Sequence, residues 1–185
     1  MSGEHGGHLL IPALQFYSGA FMAPFGEVTI VASHIGVRYV TFADDAHPKS
    51  LDMLNVESND CHVVVHEVVR QLDEYFSGTR REFDLPLDLQ GTEFQVAAWR
   101  SLARVPFGST ASYGEQAASI GRPRAVRAIG GANGRNPVAI VLPCHRIIGA
   151  NGSLTGFGGG IAVKKWLLDH EKSVIAGNPG SSCKD

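Results

Sequence analysis

The chain has 185 residues, 44% of them apolar and 18% charged, which is enough for one large domain or two small ones with apolar cores. No run of about 18 apolar residues occurs, which excludes a membrane-spanning helix, and the first residues carry Glu4 without a basic stretch, unlike a secretory leader; a soluble, cytoplasmic, monomeric protein is expected. The net charge of −2 hides an asymmetry, −8 over residues 1–90 against +5 over 91–171, with seven arginines facing the single acid Glu115 within 100–149. Such an arginine excess attracts anions and suits phosphates and planar stacking.

Residues 1–12, rich in Gly and His, read as a flexible tail in which His5 and His8 are polar arm residues. Residues 13–90 read as a first domain of α/β type. Gln15–Met22 and Val28–Ser33 flank a Pro24-Phe25-Gly26 turn, and Gly36–Phe42 alternates with period two, the pattern of a small antiparallel sheet. The polar stretch 43–60 reads as loop. Apolar positions 64, 65, 68, 69, 72, 75 and 76 make one helical face over Val63–Phe76, and 83–89 reads as a strand or extended linker.

The second domain spans 91–172. Thr92 with Gln95 offers a capping box ahead of a helix, and Ser112 with Glu115 offers another. The helix after Ser112 stops at Gly121, and Pro123 fits the first position of a further helix running to about Ala132. Two short helices separated by a Gly-containing turn make a helix-turn-helix. The second of them, Arg124 to Ala132, holds almost only arginine and small side chains. Small residues permit close backbone approach, and arginine suits a narrow, negative minor groove; a tightly packed internal helix is the equal alternative. Residues 173–185 read as a disordered tail, which leaves Cys183 idle.

The three cysteines are Cys61, Cys144 and Cys183. They form no C-x-x-C pair, which excludes a zinc knuckle of that spacing, and a disulfide scaffold is not expected at this chain size. Cys61, His62 and His66 form the one compact metal candidate, but the stretch reads as a helix start and is short of ligands. Cys144 ends the apolar run Val138–Leu142, after Pro143 and before His145 and Arg146. Basic neighbours favour the reactive thiolate. Adjacent residues do not face each other, so His145 would act through a bridging water, held by a third group for which Glu171 and Asp169 are both candidates.

The Pro143-Cys144-His145-Arg146 core resembles the active site of O6-alkylguanine-DNA alkyltransferases. So do Asn136-Pro137 before it and the segment from Ser153 to Gly160 after it. The resemblance is close over about 75–171 and holds in outline before that. It implies an α+β protein: a ribonuclease H-like N-terminal sheet with a helix, then a mainly helical, winged-helix-like domain. It further implies a partner, double-stranded DNA containing alkylated guanine or thymine, and a transfer of the alkyl group to Cys144, once per molecule, without cofactor or metal.

By the same resemblance, His145 is the base, Glu171 its orienter, and Asn136 the brace of the turn. Arg127 takes the place of the flipped nucleotide. Tyr113 contacts the target and protonates the leaving base. Carbonyls of Cys144 and Ile147 accept from the guanine amino group, and the Gly158 N–H faces O6. Ser112, Arg124, Ala128, Gly131 and Phe157 complete the DNA- and substrate-binding set. The sulfur is expected at the rim of a purine-sized pocket. Phe157 stands where relatives often carry Tyr, and Gly158 where some carry a larger residue, which implies a roomier or more mobile wall. A cysteine hydrolase and a non-catalytic, lesion-sensing winged-helix DNA binder are the competing readings.

Overall fold

The computed structural model describes residues 14–47 and 54–177. The expected N-terminal tail with His5 and His8, and Cys183, lie outside that range. The first domain is built on β1 (Phe16–Ala23), β2 (Gly26–Ser33) and β3 (Val37–Phe42), joined as antiparallel neighbours. Residues 43–60 are not all loop: β4 (Val56–Ser58) pairs parallel with β1, giving the order β3-β2-β1-β4. Three residues are too few to show a period, so only the pairing partner reveals this strand. Helix α1 (Val63–Phe76) covers the sheet, placing Val65, Val68, Leu72 and Tyr75 in the core.

The linker back to the second domain is tied down by charge. Ser33 Oγ donates to Asp88 Oδ2 at 2.9 Å, and Arg38 Nη1 donates to the Asp88 carbonyl at 3.1 Å. Both partners of the Arg38–Asp88 pair are buried, so removing either would strand the other charge away from water.

The second domain comprises α2 (Glu93–Leu102), β5 (Ala111–Ser112), α3 (Tyr113–Ser119), α4 (Val126–Gly134), β6 (Ile147–Ile148) and α5 (Gly160–Ile175). Both expected capping boxes form, Thr92 with Gln95 and Ser112 with Glu115. Helix α4, however, begins at Val126 after Ala125. Pro123 sits in the preceding turn, where its fixed φ serves the bend as well as it would a first helical position. Helix α5 continues to Ile175, three residues past the boundary expected at 172. A buried amide pair locks α2, α3 and α4 together: Asn133 Nδ2 donates to Gln116 Oε1 at 2.7 Å, and Gln116 Nε2 donates to the Ala98 carbonyl at 3.0 Å. Trp99 Nε1 donates to the Ala132 carbonyl at 2.8 Å.

The two domains share one core and one ladder. Val40 N–H donates to the Pro137 carbonyl at 2.9 Å and Ala139 N–H to the Val40 carbonyl at 3.0 Å, so the approach to Cys144 is bridged to the outer edge of β3. The apolar run then leaves the strand. Ile140 is fully buried with φ of 70°, a left-handed conformation that costs a β-branched residue on the order of 1–3 kcal/mol. That reversal carries the chain into the 3-10 turn Cys144–Arg146.

Candidate active site

Chain reversal at Ile140, Pro143 and the short turn bring Cys144 and His145 inward, toward α5. On that helix Lys164, Leu167, Leu168 and Glu171 recur at helical spacing and all are buried. His145 Nε2 lies 2.8 Å from Glu171 Oε1, and both side chains are fully enclosed. Arg146 Nε lies 3.1 Å from each Glu171 oxygen and its Nη2 3.0 Å from Oε1. The N–H of Gly108, whose φ of 72° favours glycine, donates to Oε2 at 2.7 Å. Burial alone would push the Glu171 carboxyl up. The hydrogen bond from His145 and the charge of Arg146 outweigh it and hold it at about 2. The carboxylate therefore carries no proton at neutral pH, and Nε2 of His145 must be the N–H. Nδ1 is then the free acceptor; it is buried and makes no hydrogen bond. Burial also pulls His145 below its ordinary value, which keeps it neutral.

Between the two candidates for orienting the imidazole, geometry selects Glu171. Asp169 is exposed and pairs with Lys165 at 2.8 Å.

The sulfur departs from expectation. Cys144 is only 4% exposed, so it lies under the surface and not at an open rim. Its thiol is pushed up, not down: desolvation outweighs the Asn136 hydrogen bond and the Lys164 charge, and Asp45 adds to the rise. Asn136 lies against the turn before the cysteine. Its Nδ2 donates to the Leu142 carbonyl at 2.7 Å and to Sγ at 3.2 Å, and its Oδ1 accepts from the Val138 N–H at 3.1 Å.

Tyr113, the first residue of α3, is half-buried and donates its hydroxyl to the Thr155 carbonyl at 2.8 Å. Ser112 caps the same helix and joins β6 through the β5 pairing. The Ile147 carbonyl already accepts from Lys164 Nζ at 2.6 Å, and the Thr155 carbonyl from the same ammonium at 2.7 Å. Burial lowers Lys164 to about 8. Phe157 is buried with its ring edge-on to His145, centroids 6.4 Å apart.

Gly158 does not widen the wall. A Cβ there would lie 2.8 Å from Asp45 Oδ1, so the volume a side chain would use is filled by the first domain. Asp45 is fixed there by Thr41 Oγ1 at 2.9 Å and the His47 N–H at 2.8 Å, while the Ala46 N–H donates to the Gly158 carbonyl at 2.9 Å.

Arg124, Arg127, Ala128 and Gly131 are all exposed, and their spacing puts them along one side of the α4 region. The small residues leave that side low, with arginines projecting from it. Among the described residues no cluster of His, Cys, Asp and Glu could hold a metal, and no helix is long and apolar enough to cross a membrane.

Three contributors escaped the sequence reading. Lys164 had a signal, a lysine seven residues before Glu171 on one helical face. Tyr75, whose hydroxyl reaches Glu171, and Asp45 had none, because each comes from the other domain.

Comparison with known proteins gives the family of the chain. Residues 93–173 match the family profile described as 6-O-methylguanine DNA methyltransferase, DNA binding domain, and residues 16–89 the profile described as its ribonuclease-like domain. The chain is 42% identical over 157 residues to a methylated-DNA–protein-cysteine methyltransferase of Methanosarcina acetivorans, spanning 85% of this chain and 99% of the relative. It is 58% identical over 105 residues to the protein of that name from Mycobacterium tuberculosis, spanning 57% and 64%. Among solved structures, Mycobacterium tuberculosis OGT in complex with DNA matches with a TM-score of 0.79 at 41% identity, covering 85% of this chain and 94% of that one. The O6-methylguanine-DNA methyltransferase of Pyrococcus kodakaraensis matches with a TM-score of 0.58 at 26% identity, covering 84% and 98%. With the two profiles matching 16–89 and 93–173 and a relative 42% identical over 85% of this chain, the chain belongs to the methylated-DNA–protein-cysteine methyltransferase family.

Proposed function

We propose that this chain is a single-turnover DNA repair protein that moves the alkyl group of O6-alkylguanine, and of O4-alkylthymine, from duplex DNA onto its own Cys144. The observation that carries the reading is the orphan Nδ1 of a buried, neutral His145 whose other nitrogen is committed to Glu171. That leaves one basic lone pair next to the thiol in sequence, with no other use in the fold.

The exposed side bearing Arg124, Arg127, Ala128 and Gly131 lies in the minor groove, and Arg127 fills the stack where the damaged nucleotide leaves. Extrusion costs a few kcal/mol, which the inserted side chain offsets. The base meets Tyr113, Phe157 and the backbone of Ile147 and Gly158. The Cys144 proton passes through a water to Nδ1, sulfur attacks the alkyl carbon, and the carbon–O6 bond breaks. While the bond to O6 breaks, His145 holds the charge it gains against the ionised Glu171. Tyr113 gives its proton to the leaving guanine and is reprotonated through water by the imidazolium, so that guanine, imidazole and phenol all end neutral. The product thioether has no leaving group, so no step restores the thiol, and one monomer removes one lesion.

A raised thiol pKa fits this order of events. The sulfur rests protonated and enclosed, and ionises only when the substrate is in place. Intact-protein mass spectrometry after incubation with an O6-methylguanine duplex tests the reading. One methyl per chain, on Cys144, is expected, with Cys144→Ala binding DNA but gaining no mass. Repeated turnover would indicate a hydrolase, and binding without transfer a sensor.

A further inference from the structure

Beside Asp45, the first domain sends one hydroxyl to the carboxylate that holds His145. Tyr75 lies in the last turn of α1, is fully buried, and donates to Glu171 Oε1 at 2.8 Å across 96 residues of sequence. That oxygen is the one His145 uses. With Arg146 on both oxygens and the Gly108 N–H on Oε2, every lone-pair direction of the carboxylate is engaged.

The ring is held from several sides. Phe83 and Phe107 have centroids 5.5 and 5.9 Å away, and His170 lies at 5.4 Å. His170 Nε2 also meets the Tyr75 carbonyl at 2.9 Å. A phenylalanine would fill this volume equally well, so packing does not explain the hydroxyl. Its pKa is driven well above the ordinary value, by burial first and then by Glu171, so it remains a donor throughout the working pH range.

We infer that Tyr75 is a positioning residue for alkyl transfer, setting through Glu171 both the orientation and the basicity of the His145 imidazole. It draws part of the carboxylate charge away from Nε2–H. Without it, Oε1 concentrates that charge on His145 and the imidazolium becomes easier to form. The groups facing His145 are Glu171 and Lys164 from α5, Arg146 from its own turn, the edge of Phe157, and neighbouring Cys144. Those facing Glu171 are His145, Arg146, Tyr75 and the Gly108 N–H. This inference rests on the alkyl-transfer reading.

The test is single-turnover transfer from an O6-methylguanine duplex between pH 5.5 and 9, on the full chain and on Tyr75→Phe, beside a histidine 15N NMR titration of each. Expected for Tyr75→Phe are unchanged DNA affinity, a maximal rate about 5-fold lower, and an acid limb moved upward by about one pH unit together with the His145 titration. An unshifted limb overturns the inference, because a purely structural role lowers stability and leaves the pH profile in place. Should Tyr75→Phe fail to fold, the unmodified chain decides: the Tyr75 hydroxyl proton resonance must move as His145 titrates, and a resonance that stays fixed refutes the coupling. If the unmodified chain gains no methyl group, the functional reading has failed, whatever the NMR titrations give.

Discussion

Replacing Glu171 by Gln removes one charge and almost no volume. The folded-state pKa of about 2, against an ordinary 4.5, corresponds to about 3 kcal/mol of native stability at neutral pH. A depressed carboxylate stabilises the fold above its unfolded pKa, and the gain is lost as pH falls from near 4.5 toward 2. The amide has a second defect. Oε1 and Oε2 both face donors, from Tyr75, His145, Arg146 and Gly108, so either amide orientation sets an NH2 against an N–H or O–H. Arg146 also loses its counter-charge in a buried position, a loss worth about 3–5 kcal/mol in comparable cases. Urea unfolding followed through Trp99 and Trp166 should therefore show Glu171→Gln about 3 kcal/mol or more less stable at pH 7. The gap should narrow below about pH 4.5, where the carboxyl of the unfolded chain takes up a proton that the native carboxylate still excludes. Alkyl transfer should fall at least about 10³-fold, since the imidazole loses the anion that fixes its tautomer. A stability gap that stays constant from pH 7 to pH 3 would refute the argument that charge holds this cluster.

Arg127→Ala should slow transfer from duplex DNA by about 10- to 100-fold while leaving reaction with the free base O6-benzylguanine unchanged, because only the duplex requires extrusion; stopped-flow rates on both substrates decide it. Gly158→Ala should destabilise by about 1–2 kcal/mol through its clash with Asp45. A double-mutant cycle with Asp45→Ala should return about 1 kcal/mol of coupling, and strict additivity would show that the two do not touch. At pH 7.5 and without DNA, iodoacetamide should label exposed Cys61 well before enclosed Cys144, as read by peptide mass spectrometry. Equal labelling would contradict both the burial of the sulfur and its raised pKa.

Local chemistry was the legible part of this fold. The periodicity of Val63–Phe76 gave helix α1 to the residue, and the Thr92–Gln95 and Ser112–Glu115 pairs gave two helix starts. The Pro24-Phe25-Gly26 turn and the alternation of Gly36–Phe42 gave three strands to within two residues at either end. Pro123 misled because a proline fits a turn and a first helical position equally well. The Pro143–Arg146 segment marked the reactive turn by resemblance. Its surroundings were hidden, since the burial that raises the Cys144 pKa is a property of packing and not of neighbours in sequence. Tyr75 and Asp45 were invisible for the same reason. Each acts across a domain boundary, and nothing at a single position records a partner about a hundred residues away.

The two hydrogen bonds between Val40 and the 137–139 backbone bear on how the chain comes apart. Because the second domain bridges to β3 of the first and both draw on one apolar cluster, heating should give a single calorimetric transition in place of two. A fragment starting at residue 91 would leave its 137–139 edge unsatisfied and its reactive turn anchored on one flank alone. The acidic half is thus half of the mould in which the nucleophile is cast, and engineering that treats the halves as exchangeable modules would have to replace that seam first.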